Sequence, residues 1–142
     1  MSAITDEDLV DIPIVVAEDF EVTILDVLDA PQLIEANGRD KYTNKSYSVA
    51  SSNEIILGLY DDPELKLISL FHELGHILAV FEPEDFYEEY SKAHQYRELP
   101  NELRATALGL EIAFVMYDIA FSDKALKWMY EQAFTYCRKD KT

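Results

Sequence analysis

Two of the chain's three histidines fall in one decapeptide, "FHELGHILAV" at residues 71 to 80, with Glu73 beside the first of them. His72, Glu73 and His76 fit the pattern H-E-x-x-H. On an α-helix, residues four apart are separated by about 40° around the axis and one turn along it. His72 and His76 therefore face the same way and can grip one ion through two imidazole nitrogens. Glu73 stands about 100° round from His72, where its carboxylate reaches a water held by the ion instead of the ion itself. Zinc suits such donors, since a catalytic zinc keeps three protein ligands plus a water whose pKa falls to about 7. Glu73 is then placed to take the proton of that water as it attacks a carbonyl. The competing explanation is a pair of core histidines in a buried helix. It leaves Glu73 ionisable among apolar neighbours, which costs several kcal/mol or changes its protonation. A metal and its water give all three residues partners at once.

A third donor must come from elsewhere, because position 82, six residues past His76, is Glu82 and not a histidine. The segment "ELRATALGLEIA", residues 102 to 113, offers two carboxylates. Glu102 follows a plausible helix cap and can face a cleft from the mouth of an apolar helix. Glu111 is expected at a similar angle, two and a half turns and about 13 Å further along, so only one of the two can meet the ion. Glu102 is preferred. Glu111 is then an acceptor for a ligand histidine or a partner for Arg104. Glu82 and Glu84 read as solvated acids. Hydrolysis also needs a group to hold the developing oxyanion, and His94, Tyr96 and Arg104 lie between or beside the ligand-bearing segments.

The elements that must position these residues change character near residue 60. Before it the chain is rich in β-formers and turn residues; after it the pattern is helical. "TDEDLVD" predicts a short first helix capped by Thr5. "FEVTILDVL", "KSYSVA" and "EIILGLY" read as strands, with a short helix over "DAPQLIEANG" favoured against a turn at Asn37 and Gly38. Asp61, Asp62 and Pro63 signal a helix start, and the apolar stripe over residues 63 to 80 is wide enough for a mostly buried helix. "EPEDFYEEYSKAHQYRELP" reads as a loop with one helical piece ended by Pro100. Asn101 is expected to cap a third long helix running to about residue 121, apolar almost all round and so central. Ser122 or Asp123 caps a last helix with Leu126, Met129, Ala133, Phe134 and Cys137 inward. Gly75 and Gly109 each cost about 1 kcal/mol against alanine in a helix, which a close approach between the two helices would justify. The fold class is α+β in one domain over residues 1–142: a short N-terminal twisted sheet packed on a C-terminal helical part that carries the H-E-x-x-H helix.

"NEIILGLYDDPELKLISLFHELGH", followed by Glu102, Ala105, Leu108, Gly109 and Glu111, resembles the ImmA/IrrE-type family of small zinc metallopeptidases over roughly residues 54 to 115. In that family a strand leads into an H-E-L-G-H helix, and a later helix reads roughly E-x-x-A-N-x-F-A-x-E-L-L. The resemblance implies a small zincin-like domain, zinc held by His72, His76 and Glu102, and Glu73 as catalytic base. It also implies a protein substrate, such as a regulatory DNA-binding protein. Thr106 stands where the family usually has asparagine, and the family's L-L-M-P ending is absent, "IAFVM" continuing the helix instead.

Composition bounds the rest. The 142 residues, 49% apolar, suffice to bury roughly 70% of the surface of the unfolded chain. The single Cys137 favours a reducing compartment, and the acidic start "MSAITDEDLVDIP" lacks the pattern of a secretory signal, so a cytoplasmic protein without a membrane span is expected. A net charge of −16 argues against direct nucleic-acid binding and for a basic protein or peptide partner. The leading expectation is a zinc-dependent endopeptidase, with the substrate laid as a strand on a sheet edge; "EIILGLY" is placed to lie at or near that edge, though its hydrophobicity argues equally for a central strand. The second is a catalytically silent acidic metal-binding module that holds a basic partner. The third is a metal-free structural protein.

Overall fold

The computed structural model describes residues 4–26, 46–49, 52–79 and 99–139. Helix α1 (Asp6–Phe20) starts at a reciprocal cap: Asp8 N donates to Thr5 Oγ1 and Thr5 N donates to Asp8 Oδ2, each at 3.1 Å. Three acids in its first turn suit the positive end of the helix dipole. The helix runs well past "TDEDLVD", through Pro13 to Phe20, because Leu9, Ile12, Val16 and Phe20 form a continuous face against the core. That burial offsets the cost of an interior proline, about 3 kcal/mol. Glu21 then turns into the left-handed region at φ 54° and ends the helix.

Strands β1 (Thr23–Asp26), β2 (Tyr47–Val49) and β3 (Glu54–Leu57) form one sheet in the order β1-β3-β2. β1 runs parallel to β3 with Ile24 opposite Ile55, and β2 runs antiparallel to it with Ser48 opposite Ile55. β3, whose place before the helix suggested an edge and whose hydrophobicity equally suggested the centre, is the central strand among the described residues. Its unbroken apolar run follows from burial on both faces: Ile55 and Leu57 enter the main core, while Ile56 packs with Tyr47 on the other side. Among the described residues, β2 and β1 form the two edges of the sheet.

Helix α2 (Pro63–Ala79) begins as its sequence signals: Asp62 Oδ1 accepts from Glu64 N at 2.9 Å, with Pro63 in the first position, where no N–H is needed. Lys66 ties the helix to β1 through Asp26 at 2.8 Å. Leu67, Ile68, Leu70, Phe71, Leu74 and Ile77 are buried, as the wide stripe requires. Helix α3 (Leu99–Tyr117) starts two residues before the expected cap, so Asn101 lies inside it and Pro100 occupies its first turn; the helical piece expected before Pro100 lies outside the described residues. It stops at Tyr117, short of residue 121, where Asp118 turns left-handed at φ 57°. Its expected burial all round holds for Ala105, Thr106, Gly109 and Ala113 but fails at Ala107 and Glu111 and at its end, where Phe114, Val115 and Met116 are exposed.

Helix α4 (Asp123–Lys139) is capped by Ser122, whose Oγ accepts from Ala125 N at 3.2 Å. Glu64 of α2 accepts from Ser122 N at 2.8 Å and from Ser122 Oγ at 2.7 Å, which fixes the start of α4 to the start of α2. Ala125, Met129 and Ala133 are buried and Leu126 is partly so. Phe134 and Cys137 have side chains outside those described, as do all residues of "DAPQLIEANG". The architecture is α+β: four helices and a three-stranded mixed sheet among the described residues.

Candidate metal centre

The centre is set by the approach of α2 to α3. A Cβ added at Gly75 would collide with the carbonyl oxygen of Ala105, and one added at Gly109 with the carbonyl oxygen of Phe71. Two glycines, one on each helix, thus let backbone meet backbone. Glu102 in the first turn of α3 is thereby brought over the middle of α2.

His72 and His76 lie one turn apart on α2, with ring centroids 4.7 Å apart and planes at 89°. Their Nε2 atoms are 3.1 Å from each other. Glu102 spans both: Oε1 is 3.2 Å from His72 Nε2 and Oε2 is 2.8 Å from His76 Nε2. The three residues offer ligand atoms that all lie within 4.8 Å of one another and can hold a metal ion. The donor set fits zinc in chemistry and in scale, since bonds of about 2.0–2.1 Å in a tetrahedron put ligand atoms about 3.3 Å apart. Two imidazole lone pairs at 3.1 Å repel each other unless a proton or a cation lies between them.

The second ring nitrogen of His72 is also accounted for. Nδ1 lies 2.7 Å from Thr106 Oγ1, and both residues are buried. With Nε2 directed at the common point, Nδ1 carries the proton and donates it to the hydroxyl, fixing tautomer and ring angle. Thr106 follows Glu102 by one turn, so one face of α3 supplies both a donor and the residue that orients another. The spacing of Thr106 from Glu102 was the available signal.

Glu73 is buried, 7% exposed, and its Oε2 is 4.0 Å from His72 Nε2, beside the donor group without joining it. Burial pushes its carboxyl above the usual range, against the pull of His72, of His76 and of the Ser48 hydroxyl on β2. Glu102 goes the other way. Burial raises it, but hydrogen bonds from both imidazoles outweigh that and hold it down at about 2. The two carboxylates therefore differ in kind: one stays ionised as a donor, the other holds its proton more readily.

The remaining expectations divide. Glu111 is exposed and is neither a ligand, an acceptor for a ligand histidine nor a buried partner of Arg104. Nine residues turn a helix through about 900°, so the extra half-turn carries it to the opposite face, not to a similar angle. Arg104, two residues past Glu102, starts about 200° round the helix from it. His94, Tyr96, Glu82 and Glu84 lie outside the described residues. Ser48 had no signal in the sequence, because its closeness to Glu73 arises where β2 packs against α2. Nearby, Tyr60 pairs with Ser46 Oγ at 3.1 Å and meets Trp128 edge-on at 5.7 Å, pinning the start of β2 to the helices. Comparison with protein-family models, with curated proteins and with solved structures finds no match to this chain.

Proposed function

We propose that the chain is a zinc-dependent endopeptidase of the H-E-x-x-H type, related to the ImmA/IrrE-type family and acting in the cytoplasm on a protein substrate. The observation that carries this reading is the meeting of His72, His76 and Glu102, with buried Glu73 placing Oε2 4.0 Å from His72 Nε2. His72, His76 and Glu102 would hold the ion, and zinc there supplies Lewis acidity to a carbonyl and to a water. Glu73 accepts the proton of the attacking water and returns it to the departing amine. A raised carboxyl pKa suits that task, since a base works best when its pKa lies near the working pH. His94 and Tyr96 stand as partners for the oxyanion. β2, an edge strand among the described residues whose Ser48 faces Glu73, is the side on which an extended substrate would add. The net charge of −16 favours basic sequences, such as those of DNA-binding regulators, as substrate.

The same charge supports a second reading, a metal-holding module that binds a basic partner without turnover. Elemental analysis and peptide-cleavage assays on three proteins decide between them. The wild type is expected to carry one zinc and cleave basic protein substrates. Glu73→Gln should retain the metal and lose turnover by about 100-fold or more. Glu102→Gln should lose both. Zinc-loaded wild type that cleaves nothing leaves the binding module, and failure to take up zinc removes both readings.

A further inference from the structure

We propose that the surface where the end of α3 meets α1 is a docking site for a basic amphipathic helix of a partner protein. Phe114, Val115 and Met116 are 61%, 72% and 51% exposed, and Val15 of α1 is 40% exposed. Singly exposed apolar residues are ordinary, but three in succession at the end of a helix are not. Tyr117 Oη donates to Asp19 Oδ2 at 2.7 Å, joining the two helices at this place. Val15 lies one turn before Asp19, and Phe114 one turn before Tyr117, so the bond sets the two apolar side chains on its flanks.

The charges around this surface say what covers it. Glu18, Asp19, Glu111 and Asp118 are exposed there. No lysine or arginine occurs between residues 6 and 21, nor between residues 105 and 121. A second copy of the chain would bring these carboxylates against their own kind, at −16 per molecule. A helix with an apolar stripe flanked by lysine or arginine answers both features: its stripe covers Phe114 and Val115, and its flanks meet the acids. The surface shares no residue with the metal group, so this inference stands apart from the proposed catalysis.

The test uses the full chain and a fluorescein-labelled 18-residue lysine–leucine peptide with helical periodicity, beside a scrambled peptide of equal composition. Anisotropy at physiological salt should show at least tenfold tighter binding of the periodic peptide. The Phe114→Ser/Val115→Ser variant should lose at least tenfold of that affinity. Hydrogen exchange on the wild type should show protection at residues 14–19 and 113–118, which keeps the test decisive if the variant folds poorly. The peptide's mass is checked after each titration, separating docking from cleavage. Equal binding of both peptides, an unaffected folded variant or protection elsewhere overturns the proposal. So does a wild-type dimer in sedimentation that the variant converts to monomer.

Discussion

At the scale of single residues, the centre depends on environments that push two carboxylates apart. Glu73 is buried and raised above its ordinary 4.5, while Glu102 is held down by two imidazoles. In the unfolded chain the Glu73 carboxyl ionises near its ordinary value; in the fold it resists. Ionisation therefore costs folding stability as pH rises through the unfolded value, and the cost is complete above the folded one. The metal-free Glu73→Gln variant is expected to be more stable than metal-free wild type at pH 7, with the advantage gone by about pH 4. Urea denaturation at both pH values measures it, and a less stable variant at pH 7 would show Glu73 to be held ionised. Thr106→Val keeps the volume and removes the acceptor for His72 Nδ1. Zinc affinity should fall about 10–100-fold, read by competition with a chromophoric chelator, while the fold persists.

At the scale of elements, the pairing of α2 with α3 makes the site, and glycine permits that pairing. Gly75→Ala places a methyl group against the backbone of Ala105, which no side-chain rotation relieves. The helices must part, at a cost of about 1–3 kcal/mol in chemical denaturation. Glu102 moves with α3, so zinc affinity should fall as well. An alanine on the exposed side of α3, such as one replacing Glu111, should change neither quantity. Destabilisation without loss of metal would mean that Glu102 follows α2 independently of the helix contact. The sheet contributes differently: β3 anchors the core, and short β2 carries Ser48 to Glu73.

At the scale of the whole molecule, the chain combines a built interior with a strongly acidic exterior. No helix among the described residues is long and apolar enough to cross a membrane. The donor group joins segments 26 to 30 residues apart in the chain, so an ion held there links two helices that the unfolded state leaves separate. Zinc at 100 times its Kd should then stabilise the fold by about 2.7 kcal/mol, raising the melting temperature by several degrees. Chelation should reverse the shift, and Glu102→Gln should show almost none. An equal shift in that variant would place the zinc elsewhere.

What the sequence determined by itself is local. The four-residue spacing of His72 and His76 makes them neighbours on any helix, and Thr5, Asp62 and Ser122 mark helix starts through bonds to residues two or three positions away. The strands were legible as apolar runs, and the glycines in α2 and α3 as a cost in need of a reason. Tertiary structure alone decided which strand is central, which helix face meets its neighbour, and that the end of α3 stays exposed. It also brought Glu102 and Thr106 together on His72 and set Ser48 beside Glu73. The physical reason is that helical periodicity is a property of one segment. The rotation and depth at which two segments pack depend on side chains distant in the chain, here on the absence of any at Gly75 and Gly109.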